Sequence, residues 1–406
     1  MRDVVILGST GSIGTQALEV IADHRQEFRV RALGAGGGHL ALLARQAADF
    51  HVDVVGIAQE KATEFAQLWS ELFPSLPQPQ IVAGTQAMTH IAQMLTGDSE
   101  SSGVVLNGIT GSVGLRPTLA ALRSGATLAL ANKESLVAGG SLVRQAMSWP
   151  GQIVPVDSEH SALAQALRGG RHEKGLTSPV LSGHSEVRRL ILTASGGPFR
   201  GKTRDELREV TAQRALQHPT WDMGPVVTIN SSTLVNKGLE LIEAAYLFDM
   251  QPQDITVVVH PQSVVHSMVE FCDGSTVAQA SPPDMRLPIA LGLSWPDRLD
   301  TVARPCAWEE PCAWTFEPYD HEVFPAIDVA RQALATSALH PAVFNAANEE
   351  CVAAFVAGRI GYLDIVSTVS EIVETFEDAG ELSVAAVEAA EDWARQAAHQ
   401  RFMTAI

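Results

Sequence analysis

An α/β architecture is predicted for this chain: an open parallel sheet with helices on both faces over residues 1–150, an α+β unit over 151–285, a linker over 286–312 and a small helical domain over 313–406. Three observations predict it. In the first 150 residues short apolar runs alternate with stretches of helical period, the pattern of repeated βαβ units. Beyond Gly151 strand-like runs crowd around one long amphipathic stretch. From Ala326 onward the chain is Ala-rich with few β-branched runs, as a helical tail requires.

Taken in order, Val4–Leu7 reads as a buried strand and Ile13–Ala22 as a helix that buries Ile13, Ala17, Val20 and Ile21. Arg29–Leu33 is a second strand, and Val52–Val55, Ile81–Val82, Val104–Leu106 and Thr127–Leu130 are further short ones. In the second unit Ile153–Val156, Leu190–Thr193, Val226–Ile229, Thr256–Val259 and Val264–Val269 read as strands. The polar stretch Gly169–Ser185 reads as a surface loop, and a helix is expected from about Ser232 to Phe248. Pro282, Pro283, Pro288, Pro296, Pro305 and Pro311 mark an extended connector.

Composition excludes several classes. Hydrophobic residues at 46% and charged residues at 18% supply enough core to rule out disorder. A net charge of −18 argues against a broad nucleic-acid surface, which needs a basic face. It leaves room for a local cationic pocket that holds a phosphorylated metabolite. Cys272, Cys306, Cys312 and Cys351 form no zinc-ribbon spacing and read as reduced thiols. The apolar run after Met1-Arg2-Asp3 is too short for a signal peptide and no stretch is long enough to span a membrane, so a cytoplasmic protein is expected.

Gly8-Ser9-Thr10-Gly11-Ser12-Ile13-Gly14 follows the first strand and opens the first helix. Glycines there permit a tight turn and close approach of a pyrophosphate to the helix N-terminus, as in a Rossmann-like nucleotide-binding domain. The second strand ends in Ala35-Gly36-Gly37-Gly38-His39, so no acid repels a 2′-phosphate, and no lysine or arginine there attracts one. Asn107–Ser112 and Asn132-Lys133-Glu134 close two further strands on the ligand-binding side of such a sheet. Lys133 has two readings, a ligand contact or an ordinary solvated lysine.

Asp157 and Glu159 end another strand in Pro155-Val156-Asp157-Ser158-Glu159-His160. Two carboxylates on one side of an extended chain suit a hard divalent cation, although two solvated acids would look the same. Thr233, Asn236, Lys237, Glu240 and Glu243 form one polar helical stripe beside Leu234, Leu241, Ile242 and Ala245. Such a stripe either faces water or offers a cation, an amide and a carboxylate to a phosphorylated ligand. Ser195-Gly196-Gly197 is either a tight turn or a phosphate-holding loop. His218–Gly224 combines Pro, Trp and Gly in one non-periodic loop and reads as a lid over a ligand, or as a packed loop. His260 and His266 are assigned structural or outer-shell roles.

These segments, in this order, resemble the 1-deoxy-D-xylulose 5-phosphate reductoisomerase family. The matching pieces are Ile6–Gly14, Ala131–Val137, Pro155–Leu163, Ser195–Phe199, His218–Gly224, Asn230–Ala244, His260–Phe271 and Pro283–Ala290, with Asn345–Glu350 in the tail. The resemblance implies an NADPH- and metal-dependent rearrangement and reduction of 1-deoxy-D-xylulose 5-phosphate to 2-C-methyl-D-erythritol 4-phosphate, for isoprenoid precursors, through retro-aldol and aldol steps. It implies that Asp157, Glu159 and Glu240 bind Mn²⁺ or Mg²⁺. Ser195, Ser231, Asn236 and Lys237 would hold the substrate phosphate, with Lys133, Ser158 and His218 on the rest of the substrate and Trp221 and Met223 on the lid. Thr10, Gly11, Ser12, Ile13, Gly36, Gly38, Asn132, Glu134 and Gly224 would border NADPH. A homodimer is implied as well. One departure stands out: the family pattern often carries a basic residue where this chain has Gly37. That predicts weakened discrimination between NADPH and NADH, and a gain from Gly37→Lys. The competing reading is another NADP-linked, metal-assisted dehydrogenase, which would not need the phosphate-binding group.

Overall fold

Seven strands build the first sheet, all parallel: β1 (Arg2–Leu7), β2 (Phe28–Ala35), β3 (Val54–Ile57), β4 (Gln80–Ala83), β5 (Val104–Asn107), β6 (Thr127–Leu130) and β7 (Ile153–Pro155). Their spatial order is β4-β3-β2-β1-β5-β6-β7. The order reverses between β1 and β5, so the crevice at their C-terminal ends is the place where such a sheet binds ligands. The computed structural model describes residues 1–97, 103–217, 224–378 and 380–404.

Val4, Val5, Ile6 and Leu7 are all fully buried, because helices cover both faces of the sheet. Helix Ser12–Asp23 lays Ala17, Val20 and Ile21 against one face. Residues 153–156, expected to open the second unit, instead supply the last strand of the first sheet, with Leu128 paired to Ile153. A buried apolar run does not name its sheet. The intervening helices, Lys133–Gly139 and Ser141–Ala146, make the crossover that returns the chain parallel to β6.

The second sheet has five strands: β8 (Val187–Ala194), β9 (Ile255–Val259), β10 (Val265–Phe271), β11 (Thr276–Ala280) and β12 (Glu317–Pro318), in the order β11-β10-β8-β9-β12. Sequence reasoning missed β11 and β12, which carry little apolar pattern. It also misread Val226–Ile229, which lie in helix Pro225–Ser232. Their β-branched composition suggests a strand, but Gly224 is extended and Pro225 occupies the first helical turn, where its fixed φ and missing N–H favour helix.

The long helix begins later than expected and spans Val235–Phe248. Thr233 Oγ1 bonds back to the Ile229 and Asn230 carbonyls, and Leu234 takes a left-handed conformation with φ +61° while its side chain stays buried. The two helices thus meet at a sharp break. The expected connector also contains structure. Arg286–Ser294 is a helix with Pro288 in its first turn, and Ile289, Ala290 and Leu293 pack on the first sheet.

Four helices complete the chain: Ala326–Thr336, His340–Val356, Tyr362–Thr375 and Val384–Thr404. They brace the helix break from behind. Tyr362 donates to the Ser232 carbonyl at 2.6 Å, and Asn348 Nδ2 donates to Asn230 Oδ1 at 2.9 Å.

Candidate active site

A cleft of about 720 Å³ opens where the C-terminal ends of β1, β5 and β6 face the second sheet and the broken helix. Its first wall is the turn after β1. Gly8 has φ +85°, and a Cβ on Gly14 would lie 2.3 Å from the Gly8 carbonyl oxygen, so turn and helix meet at a distance only glycine permits. No side chain caps helix Ser12–Asp23, and Gly11, Ser12 and Ile13 line the cleft. A helix start without an acidic first turn is suited to an anion.

The opposite end is charged. Asp157 and Glu159 stand at the start of helix Ser158–Leu167 and Glu240 on helix Val235–Phe248, and their carboxylate oxygens come within 4.8 Å of one another. Lys133 Nζ sits among them, 2.6 Å from Asp157 Oδ2 and 3.1 Å from Glu240 Oε1 and from Asn236 Oδ1. Lys237 Nζ contacts Glu159 Oε1 at 2.8 Å and also pairs with Glu240 Oε2. Three hard oxygen donors at this spacing are the set a Mg²⁺ or Mn²⁺ ion takes, and two ammonium groups offset part of their charge.

Burial sets the titration of this cluster. It opposes the charge of Lys133, yet Asp157 and Glu240 hold that ammonium well above its usual range. Burial likewise opposes ionisation of Asp157, but Lys133 and His160 outweigh it and keep the carboxyl well below the ordinary value. Glu240 moves the other way, raised by burial and by the neighbouring Glu159. Lys133 is therefore no solvated surface lysine, and the polar stripe of the long helix faces inward: Lys237, Glu240 and Glu243 are all buried.

Sequence reasoning gave no role to the layer beneath. His160 is fully buried; its Nε2 donates to the Glu240 carbonyl at 2.9 Å. Its Nδ1 lies 3.1 Å from Asp157 Oδ1 and 3.2 Å from Glu243 Oε2. Burial disfavours the imidazolium, but Glu243 and Asp157 push it up to about 9, while burial pushes Glu243 up to about 7. His160 thus ties a metal-facing carboxylate to the backbone of the helix that carries another. The signal was present, since His160 is three residues after Asp157 and Glu243 three after Glu240, but each looks like one more polar residue.

The structure gathers most of the expected residues. Gly11, Ser12, Ile13, Lys133, Glu134, Asp157, Ser158, Glu159, Ser195, Gly224, Ser231, Asn236, Lys237 and Glu240 all line this cleft. Asn132 lies beneath it, buried, with its side chain accepting from Ser135 N and donating to the Gly111 carbonyl at 2.8 Å, so it braces the loop after β5. Thr10 is half-buried in the turn after β1, and Gly36 and Gly38 are exposed at the end of β2, outside the cleft lining. His218, Trp221 and Met223 lie outside the described residues. His260 is structural, its ring nitrogens engaged with the Thr315 carbonyl and the Val264 and Val265 amides. His266 lines the cleft and contacts the Ser281 carbonyl at 3.1 Å, and burial lowers it to about 4.

Residues 4–140 match the 1-deoxy-D-xylulose 5-phosphate reductoisomerase family model, and residues 153–248 and 280–397 match its two C-terminal domain models. The chain belongs to the 1-deoxy-D-xylulose 5-phosphate reductoisomerase family. It is 58% identical to the reductoisomerase of Beutenbergia cavernae over 97% of this chain and 95% of that one. It is 52% identical to that of Streptomyces coelicolor over 98% and 92%. Among solved structures, the Zymomonas mobilis reductoisomerase in complex with NADPH superposes with a TM-score of 0.85 at 37% identity, covering 99% of each chain. A reductoisomerase bound to NADPH, fosmidomycin and magnesium superposes at 0.87 with 32% identity, covering 99% of this chain and 98% of that one. No helix among the described residues is long and apolar enough to cross a membrane.

Proposed function

We propose that this chain rearranges and reduces 1-deoxy-D-xylulose 5-phosphate to 2-C-methyl-D-erythritol 4-phosphate, using NADPH and a divalent cation in the cleft just described. One observation carries the reading: three carboxylates suited to a cation, a polar group suited to a phosphate, and an uncapped dinucleotide turn all face one cleft. Asp157, Glu159 and Glu240 would hold Mg²⁺ or Mn²⁺, and Gly11, Ser12 and Ile13 the NADPH pyrophosphate. Once bound, the cation supplies Lewis-acid polarisation of substrate oxygens and the nicotinamide supplies hydride.

The chain's own groups do the positioning. Ser195, Ser231, Asn236 and Lys237 line the same cleft as the carboxylates and are assigned to the substrate phosphate, with Lys237 as the charged member. Lys133 Nζ lies within hydrogen-bonding reach of Asp157, Glu240 and Asn236 and is assigned to substrate oxygens as a donor. His160 fixes Asp157 against the helix backbone at Glu240. Ser158 completes the rim, and Glu134, Gly224 and Asn132 border or support the nicotinamide end. His218 and the segment through Met223 are assigned to the substrate-covering loop on the resemblance alone.

The function divides over three units: a nucleotide-binding unit on the seven-stranded sheet, a catalytic unit on the five-stranded sheet, and the helical tail. A cytoplasmic homodimer is part of the same reading. The alternative, a different NADP-linked metal-assisted dehydrogenase, leaves the Ser195, Ser231, Asn236 and Lys237 group without a purpose. The test is NADPH oxidation, followed at the nicotinamide absorbance, with 1-deoxy-D-xylulose 5-phosphate. Turnover that needs the phosphorylated ketose and stops on chelation of divalent metal supports the proposal. Oxidation with unphosphorylated hydroxy acids or semialdehydes instead would overturn it.

A further inference from the structure

The missing cation at Gly37 has a structural explanation. Gly37 has φ +98°, and a Cβ there would stand 3.2 Å from Ile57 Cγ2 and from Gln59 Oε1. A side chain at this position is strained by the positive φ and must move Ile57 or Gln59 by a few tenths of an ångström, which opposes the expected gain from Gly37→Lys. The crowding comes from the end of β3 and the segment that follows it.

That segment brings its own cation. β3 lies beside β2 in the sheet, and Ala58 N donates to the Ala35 carbonyl at 3.0 Å, so the two strand ends run side by side. Lys61 follows at the start of helix Ala62–Leu72, and its Nζ donates to the Gly37 carbonyl at 3.0 Å. Among the described residues Lys61 makes no ion pair with a carboxylate. Its one recorded side-chain partner is a neutral carbonyl, which leaves the full charge of the ammonium at the end of β2. In this fold the adenosine ribose lies at the end of the second strand, where an acid selects the free 2′-hydroxyl and a cation the 2′-phosphate. Here the second strand ends in exposed Gly36 and Gly38, with an ammonium from the segment after the third strand bonded to the carbonyl of Gly37 between them.

We propose that Lys61 is the residue that recognises the 2′-phosphate of NADPH, taking from the neighbouring strand the place that a basic residue at position 37 would fill. The proposal rests on the reading of the first sheet as an NADPH site. The ammonium has three donors, so it can keep the Gly37 carbonyl and still bond a phosphate oxygen. A lysine grips phosphate as a point charge without bidentate geometry, which makes arginine an acceptable replacement at this position. The glycine run adds backbone N–H groups but no net charge.

Calorimetric titration of the whole protein with adenosine 2′,5′-bisphosphate and with 5′-AMP separates the 2′-phosphate from every other cofactor contact, without any turnover. Lys61→Met should weaken the bisphosphate about ten- to hundredfold, the scale of one charged hydrogen bond, and leave 5′-AMP unchanged. Lys61→Arg should retain most of the preference, and kcat/KM for NADPH over NADH should fall in Lys61→Met by the same factor as the binding ratio. Lys61→Gln serves if the methionine variant folds poorly. Equal affinity of parent and variant for the bisphosphate, or equal losses for both ligands, would overturn the role of Lys61. A parent protein that binds 5′-AMP as tightly as the bisphosphate would instead overturn the NADPH reading itself.

Discussion

Glu240→Gln separates the electrostatic and metal-binding roles of the cluster, because it removes one charge without changing shape. Glu240 is 1% exposed and shared by two ammonium groups. After substitution Lys133 keeps Asp157 at 2.6 Å and Lys237 keeps Glu159 at 2.8 Å. Neither cation is stranded, so the cost should fall below the ~3–5 kcal/mol of a broken buried pair, at about 1–3 kcal/mol. Metal binding should suffer more. A lost outer-sphere partner alone costs about 10–100-fold in affinity, so a lost carboxylate ligand is set at about hundredfold or beyond. At a cation concentration of about 100 Kd the parent gains ~2.7 kcal/mol of stability, whereas a variant binding a hundredfold more weakly gains only ~0.4. Calorimetric unfolding of both proteins, with and without Mn²⁺, reads both effects, and electron paramagnetic resonance counts the bound ion directly. A variant that binds Mn²⁺ with the parent's affinity would refute the assignment of Glu240 as a ligand.

Other outcomes follow from neighbouring contacts. Lys237→Met should raise KM for the phosphorylated ketose by about ten- to hundredfold and leave KM for NADPH nearly unchanged, since the phosphate loses a charged bond and Glu159 and Glu240 lose a partner, while the dinucleotide turn is untouched; steady-state kinetics with each substrate varied would show equal changes if the assignment is wrong. Gly14→Ala should abolish cofactor binding or unfold the first unit, because the added Cβ would lie 2.3 Å from a backbone oxygen; retained affinity for NADPH by fluorescence titration would contradict the close approach. His160 has a folded pKa raised to about 9 from 6.5, so its contribution to stability is present below pH 6.5 and lost as pH rises through about 9. Metal-free His160→Gln should therefore lose stability relative to the parent at pH 6 and much less at pH 10, and a pH-independent difference in melting temperature would contradict the charged histidine.

The sequence made the first sheet legible because its central strands are buried on both faces and read as apolar runs between helix-period stretches. Among the features that escaped it, two show why. The assignment of Ile153–Val156 to one sheet or another depends on crossover geometry, which composition does not encode. The helix at Pro225–Ser232 escaped because Val226, Val227 and Ile229 favour strands intrinsically, while Pro225 and the packing of Thr228, Ile229 and Asn230 decide the backbone. The carboxylates of the site were legible as residues, and their meeting followed from the family resemblance; residue pattern alone does not encode it, because it depends on the break at Leu234. A left-handed leucine is not a signal that any pattern of residue types announces. Its buried side chain and the Thr233 back-bonds hold it there.

The direction of the polar stripe on helix Val235–Phe248 marks the same limit from the energetic side. By period alone, Asn236, Lys237, Glu240 and Glu243 should face water, since buried charge is costly unless paired. They face inward because every charge on that stripe finds an opposite charge from a different strand end: Lys133 after β6, Asp157 and Glu159 after β7, with His160 behind them. The pairing partners lie about 80–110 residues away in the chain, as in the 107 residues between Lys133 and Glu240. Local sequence cannot distinguish a solvated face from half of a neutralised cluster. The same reasoning applies to Lys61, which resembles any helix-start lysine until the sheet order places it against Gly37. In both places the functional charge is supplied by a neighbouring strand rather than by the strand on which a motif search would look for it.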